Sequence, residues 1–76
     1  MTQVIVPRLG DTIVQATVSF WYVKKGDKVN AGDDLVELST DKATYNLPAP
    51  TSGVISEILF SEGDSVKIGD VLAVLE

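Results

Sequence analysis

The sequence predicts an all-β domain, a flattened barrel or sandwich of two four-stranded antiparallel sheets with quasi-twofold symmetry. The main observation is an internal repeat at an offset of 37 residues, which indicates two halves of the same architecture. A second observation is the alternation of apolar and polar residues around Asp41 and Lys42, typical of an antiparallel hairpin with one buried face. The repeat aligns Gly26-Asp27-Lys28-Val29 with Gly63-Asp64-Ser65-Val66, Gly32-Asp33-Asp34-Leu35 with Gly69-Asp70-Val71-Leu72, Ser19 with Ser56, and Leu38 with Leu75.

Each half is predicted to contain a strand, a Gly-Asp turn, a short extended segment, a second Gly-Asp turn and a final strand. The extended segments are Val29 and Val66, and the strands are 17–23, 35–40, 54–60 and 71–75. A strand at 45–48 follows the hairpin, and its expected counterpart is 4–7 at the N-terminus. The terminal strands should therefore pair, with Val4 opposite Leu75 and Val6 opposite Ala73.

The hairpin places its central residues, Asp41 and Lys42, at the tip of a tight turn. This register keeps the apolar and polar positions on separate faces, whereas a slip of one residue in either arm would mix them. Lys42 is therefore predicted to be displayed in solvent, although a lysine at such a tip ordinarily serves solubility alone. The predicted facing pairs are Thr40/Ala43, Ser39/Thr44, Leu38/Tyr45, Glu37/Asn46 and Val36/Leu47.

A loop also breaks the symmetry between the halves. The link from Pro7 to Ala16 is four residues longer than the link from Pro48 to Gly53. Differences between otherwise equivalent halves are candidate functional features, since the fold itself does not require them. The loop residues are Leu9, Gly10, Asp11, Thr12 and Ile13.

Length and charge exclude several classes of protein. Seventy-six residues make one small domain, 1–76, which buries only about 60% of the surface of its unfolded chain. Eleven acidic residues against six basic ones, which are scattered apart from Lys24-Lys25, give a net charge of −5, so nucleic acid is not an expected partner. No run approaches the roughly 20 apolar residues of a membrane span, and we expect neither membrane association nor a targeting segment.

Catalysis by these residues alone is not expected. The chain has no histidine or cysteine, and no serine with an evident base to activate it. Trp21 aligns with Ile58 in the repeat and is expected in the core rather than as a binding platform. The carboxylates that follow glycine should serve the turns rather than bind metal or transfer protons; they are Asp27, Asp33, Asp64 and Asp70.

Motifs along nearly the whole chain, from about residue 4 to 75, resemble one known family. They are Val6-Pro7-Arg8-Leu9-Gly10-Asp11-Thr12, Trp21, Gly26-Asp27-Lys28-Val29, Gly32-Asp33, Leu35, Thr40-Asp41-Lys42-Ala43, Pro48-Ala49-Pro50, Gly53-Val54-Ile55 and Glu62-Gly63-Asp64. With these residues the chain resembles the lipoyl domains of 2-oxo acid dehydrogenase acyltransferases. The resemblance implies a carrier domain, with lipoic acid joined by an amide bond to Lys42 between Asp41 and Ala43.

The resemblance also implies a function and a set of partners. The lipoyl arm would shuttle acyl groups and reducing equivalents between a thiamine-diphosphate-dependent 2-oxo acid decarboxylase, an acyltransferase core and a dihydrolipoyl dehydrogenase, for 2-oxoglutarate or pyruvate. A lipoate-attaching enzyme would load it. A partner must recognise the protein surface near Lys42, and the loop of Leu9 to Ile13 is the candidate recognition site. The isolated domain would be a monomer, located in the cytoplasm of a bacterium or in the mitochondrial matrix of a eukaryote.

Two alternative functions share the predicted fold. Biotin carrier domains of carboxylases resemble this chain, but they typically flank their lysine with methionines, whereas Asp41 and Ala43 stand here. A β-sandwich interaction module that is never modified is the other alternative.

Overall fold

Eight strands in two sheets form the part of the molecule that the structure describes. The computed structural model describes residues 1–10 and 13–76. The strands pair antiparallel in the orders β1-β8-β6-β3 and β5-β4-β2-β7, which confirms the predicted sandwich. In the described residues, no helix has the length and apolar character needed to cross a membrane. The strands are β1 (Thr2–Ile5), β2 (Gln15–Trp21), β3 (Lys28–Val29), β4 (Asp34–Ser39), β5 (Thr44–Pro48), β6 (Gly53–Ile58), β7 (Ser65–Lys67) and β8 (Val71–Leu75).

The two halves of the repeat exchange their short strands. β3, from the first half, pairs with β6 of the second, and β7, from the second half, pairs with β2 of the first. Neither half can therefore complete a sheet by itself. Because each sheet needs both halves, the two repeats share one core.

The core lies between the sheets and follows the alternation of the strands. Ala16 and Val18 of β2, for example, point inward and are buried, whereas Thr17 between them is exposed. Trp21 packs against the core while partly buried, and its indole N–H donates to the Phe60 carbonyl oxygen at 2.9 Å. The core position predicted for Trp21 is confirmed, with its polar edge satisfied at the core boundary. The buried residues are Val4, Val6, Ala16, Val18, Val29, Leu35, Val36, Leu38, Leu47, Ala49, Ile55, Val66, Leu72, Ala73 and Leu75.

The four Gly-Asp turns are built in the same way. Each glycine has φ between 91° and 95°, a conformation that other residues rarely adopt. The Oδ2 atom of each following aspartate accepts the backbone N–H of the residue three positions earlier, at 2.8 to 2.9 Å. The turn function predicted for these carboxylates is confirmed. The turns contain Gly26-Asp27, Gly32-Asp33, Gly63-Asp64 and Gly69-Asp70.

Matched serines lie at equivalent bulges in the two sheets. Between β2 and β4, the register shifts at Ser19, and between β6 and β8 it shifts at Ser56. An extra residue inverts the inward and outward alternation of a strand, which explains why exposed Phe20 follows exposed Ser19. Ser56 Oγ donates to the Val74 carbonyl oxygen at 3.0 Å, whereas Ser19 Oγ is hydrogen-bonded to Ser39 Oγ.

The register predicted for the terminal strands is wrong by two residues. Val4 lies opposite Ala73, and the observed partner of Leu75 is Thr2. A shift of two positions leaves every side chain on its predicted face, so the alternation could not exclude it. The backbone bonds show the true equivalence: Val6 N–H donates to the Asp70 carbonyl at 2.9 Å, as Ala49 N–H does to that of Asp33 at 2.8 Å.

This correction also changes the size of the extra loop. If Val6 is equivalent to Ala49, then Pro7 is equivalent to Pro50. Nine positions separate Pro7 from Ala16, whereas three separate Pro50 from Gly53. The first link is therefore longer by six residues rather than the four counted from Pro48, and the asymmetry between the halves is larger than predicted.

Candidate functional site

The hairpin between β4 and β5 has the predicted register. The observed pairs include Ser39 with Thr44, and Thr40 N–H donates to the Ala43 carbonyl oxygen at 2.8 Å. The side chains of Asp41, Lys42 and Ala43 are all exposed at the tip. The Lys42 amine therefore stands in solvent on a support of paired strands. The other confirmed pairs are Leu38 with Tyr45, Glu37 with Asn46, and Val36 with Leu47.

Thr40 closes the turn that the sequence Asp-Lys does not favour. Among the described residues, none other than glycine has a positive φ, so Asp41 and Lys42 do not form the mirror-image turn usual in two-residue hairpins. The Thr40 hydroxyl instead accepts the N–H groups of Ala43 at 3.1 Å and Lys42 at 3.3 Å, and donates to the Ala43 carbonyl at 3.0 Å. Sequence reasoning missed this function, although a hydroxyl at the first position of a turn, directly before its two central residues, is a known turn signal.

Removal of the Thr40 hydroxyl should loosen the tip without unfolding the domain. We expect Thr40→Val to lower the free energy of unfolding by about 1 kcal/mol, since the lost hydrogen bonds are exposed. Amide hydrogen exchange at Ala43 should accelerate. Thr40→Ser is the matched control, because it keeps the hydroxyl, and it should retain both stability and protection. Unchanged exchange at Ala43 in the valine variant would contradict this function.

A cleft of about 510 Å³ opens beside Lys42. One wall comes from the start of β2 and the residues before it, and another from the hairpin itself. The second half of the repeat contributes Ser65, which β7 brings to this point by pairing with Thr17. Such a contribution could not be read from local sequence. The lining residues are Ile13, Val14, Gln15, Ala16, Thr17, Ser39, Thr40, Asp41, Lys42 and Ser65.

The asymmetric loop reaches this same cleft. Ile13, its last residue, lines the cleft together with Lys42, and Ile13 N–H donates to the Gly10 carbonyl at 3.3 Å. Leu9 lies at the other end of the loop and packs against the core, which gives it a structural function. Asp11 and Thr12 lie outside the described residues. Recognition of a partner by this loop stays a prediction, with Ile13 beside the lysine.

The Lys42 tip and the chain termini lie at opposite ends of the molecule. β2 and β6 meet at their C-terminal ends through the contact of Trp21 with Phe60. β2 begins beside the hairpin, whereas β6 begins beside the C-terminus, where Val54 N–H donates to the Glu76 carbonyl at 2.9 Å. The N-terminus lies at the same place, because Thr2 is paired with Leu75. A covalent connection at either terminus would therefore leave the space around Lys42 open.

Sequence comparison matches this chain to one family model and to components of 2-oxo acid dehydrogenase complexes. Residues 2–75 match the model of the biotin/lipoyl family, described as biotin-requiring enzymes. The succinyltransferase component of a 2-oxoglutarate dehydrogenase complex from Bartonella vinsonii subsp. berkhoffii is 41% identical over 99% of this chain and 18% of that protein. The acetyltransferase component of a pyruvate dehydrogenase complex from Corynebacterium glutamicum is 40% identical over 95% of this chain and 11% of that protein. The chain thus spans less than a fifth of the length of these relatives.

Two solved structures share the fold. The lipoyl domain of the 2-oxoglutarate dehydrogenase complex from Azotobacter vinelandii superposes with a TM-score of 0.79 at 34% identity, covering 97% of this chain and 94% of that one. A single-chain, multi-domain long-chain acyl-CoA carboxylase superposes with a TM-score of 0.73 at 30% identity, covering 79% of this chain and 6% of that one. The first of these two likenesses extends over more of the chain.

Proposed function

This chain belongs to the biotin/lipoyl family and, within it, to the lipoyl domains of 2-oxo acid dehydrogenase complexes, and on that basis we propose that Lys42 carries lipoic acid through an amide bond. The observation that carries the proposal is the position of Lys42, which is exposed at the tip of a hairpin held by Thr40. Amide formation requires an amine that an attaching enzyme can reach. The exposed tip meets this requirement.

The chain's own residues would position the group and take no part in its redox chemistry. When attached, lipoate supplies a dithiolane that accepts an acyl group together with two electrons. β4 and β5 hold Lys42, from which the lipoyl arm would extend, and the cleft leaves one side of Lys42 open. Because the tip is distant from the termini, a tether can move the whole domain among partner sites and raise the effective concentration of the arm there.

Four partners follow from this function. They are a lipoate-attaching enzyme, a thiamine-diphosphate-dependent 2-oxo acid decarboxylase, an acyltransferase core and a dihydrolipoyl dehydrogenase. The parent protein would be the acyltransferase, with this domain as its carrier, and the substrate would be 2-oxoglutarate or pyruvate. The named relatives, which are acyltransferase components of complexes for these two acids, support this assignment.

Biotin is the competing group, because the carboxylase likeness shows that this fold also occurs in carboxylases. The residues beside the lysine separate the two alternatives. Asp41 and Ala43 flank Lys42, where biotin carrier domains typically have methionines.

The intact mass of the protein tests the proposal directly. The domain would be produced with lipoate, biotin and the attaching enzymes for both groups. We expect a gain equal to one lipoyl group, located at Lys42 by peptide fragmentation. A gain equal to one biotinyl group would instead identify a biotin carrier, and an unchanged mass would favour an unmodified interaction module.

A further inference from the structure

Lys67 lies at the same end of the sheet as Lys42. Ser39 of β4, Thr17 of β2 and Ser65 of β7 form one row across three neighbouring strands. β4 and β7 are both antiparallel to β2, so they run in the same direction from this row. Lys42 follows Ser39 by three positions. Lys67 follows Ser65 by two, so both lysines lie beyond the row, toward the hairpin tip.

The side chain of Lys67 emerges beside the Lys42 cleft. Ser65 and Lys67 are exposed, whereas Val66 between them is buried, so the two exposed residues share the outer face of the sheet. Ser65 lines the cleft together with Lys42, and so does Gln15, which is paired with Lys67. The Lys67 amine therefore stands in solvent next to the cleft.

The distance between the two lysines is within the reach of a lipoyl arm. Two strand spacings separate β4 from β7, which amounts to about 10 Å. A Lys42 side chain extended by a lipoyl group is longer than this, so the sulfur atoms of the arm reach the Lys67 amine. The short tether would hold sulfur and amine at an effective concentration on the order of 1 mM.

The other amines of the chain lie at the far end of the molecule. Lys28 of β3 is paired with Val54 at the start of β6, beside the C-terminus. The turn after Lys24 and Lys25 also reaches β6 there, because Gly26 N–H donates to the Ile55 carbonyl at 2.7 Å. The N-terminal amine lies at that end too. The arm on Lys42 can therefore reach Lys67 and none of these amines. They are the amines of Met1, Lys24, Lys25 and Lys28.

We propose that Lys67 is a site of self-acylation, which takes its acyl group from the lipoyl arm on Lys42. This inference rests on the proposed function, since it needs an arm that carries a thioester. The unprotonated Lys67 amine attacks the thioester carbonyl, a C–N bond forms and the C–S bond breaks. The proton lost by the amine passes to the sulfur, which becomes a free thiol. No oxidant or reductant takes part.

The reaction should appear when the thioester persists. Transfer of the acyl group to coenzyme A would normally empty the arm, and the amide at Lys67 would form when coenzyme A is absent. An amide is more stable than a thioester, so the acyl group would stay on Lys67. The modification would remove a positive charge beside the cleft.

The test follows the acyl group from sulfur to nitrogen by mass. The lipoylated domain would be acylated without coenzyme A, using isotope-labelled 2-oxo acid and the decarboxylase component of a 2-oxoglutarate or pyruvate dehydrogenase complex, and then separated from that enzyme. After incubation, hydroxylamine removes acyl groups held as thioesters and leaves amides intact. Peptide fragmentation should locate the remaining label at Lys67, at a level at least about tenfold above that at Lys28. The rate should not depend on the concentration of the domain, as expected for transfer within one molecule.

Two arginine variants provide a matched comparison. Lys67→Arg removes the nucleophile and keeps the charge. Lys28→Arg is the control, because Lys28 is also exposed and lies on β3, the counterpart of β7 in the repeat. Both variants should be lipoylated and acylated on sulfur as wild type. Lys67→Arg should lose the label that resists hydroxylamine and should retain the thioester for longer, whereas Lys28→Arg should behave as wild type.

A second measurement separates proximity from intrinsic reactivity and does not depend on lipoylation. The domain without lipoate would be incubated with free S-acyl dihydrolipoamide. Without the tether, Lys67 and Lys28 should be labelled to a similar level, because both amines are exposed. If Lys67 is labelled in the same excess here as in the lipoylated domain, its amine is simply more reactive, and the inference is overturned.

The possible results separate failure of this inference from failure of the proposed function. Equal labelling of Lys67 and Lys28 in a domain that is fully lipoylated and acylated on sulfur would overturn self-acylation alone. A wild-type domain that gains no lipoyl group would overturn the proposed function and this inference with it.

Discussion

Substitution of Lys42 with alanine will abolish attachment of lipoate while the domain remains folded. The side chain is exposed and makes no contribution to the core, so the free energy of unfolding should change by no more than about 0.5 kcal/mol. Attachment should be lost completely, because no other lysine occupies the hairpin tip. Intact mass after expression with lipoate and its attaching enzyme measures the first effect, and denaturant unfolding measures the second.

Lys25→Ala is the matched control for this experiment. Lys25 is also exposed and also lies in a turn, next to Gly26, but it is outside the hairpin. We expect the control to be lipoylated at the wild-type rate. A lipoylated Lys42→Ala protein would show that the acceptor is another amine, and loss of cooperative unfolding would show that Lys42 has a structural function.

Deletion of the four residues Gly10 to Ile13 will leave lipoylation intact and reduce reductive acylation sharply. The deletion keeps Leu9, which packs against the core, and it shortens a connection whose counterpart is already six residues shorter. Surface links tolerate such changes in length at little entropic cost. Lipoylation depends chiefly on the position of the hairpin. We expect kcat/KM for acylation by the decarboxylase to fall at least about tenfold, because Ile13 would be lost from the cleft beside Lys42.

The opposite end of the molecule provides the control for the loop. Insertion of four glycine and serine residues between Pro50 and Gly53 changes the length of the equivalent link far from Lys42. This variant should be lipoylated and acylated as wild type. If the shortened and wild-type domains accept the labelled acyl group at equal rates, the loop has no part in recognition, and the residues flanking Lys42 become the candidates.

The structure also changes how the loop should be understood. The sequence does not distinguish the two apolar residues of the loop, Leu9 and Ile13, since both are bulky side chains in a surface link. In the structure, Leu9 packs on the core, whereas Ile13 lines the cleft. The side on which each residue lies depends on the path of the link across the end of the sandwich, and strand periodicity does not extend into such a link.

The repeat, the four Gly-Asp turns and the register of the Lys42 hairpin could be predicted from the sequence alone. These features are local: a two-residue connection allows few registers, and alternation of period two rejects a slip of one residue. The exposed position of Lys42 follows from that register. The same alternation accepts a slip of two, and for this reason it misplaced Val4 opposite Leu75 when the true partner is Ala73.

The surroundings of Lys42, in contrast, could not be predicted without the three-dimensional arrangement of the strands. Ser65 and Ile68 come from the other half of the chain, and they reach the cleft region because β7 pairs with β2 rather than within its own half. The Thr40 hydroxyl compensates for a turn sequence that lacks residues with positive φ. Contacts of this kind depend on exchange of strands between halves and on packing at the end of the sandwich. Strand exchange and end packing both depend on interactions between residues that are distant in sequence. A local sequence pattern does not contain this information.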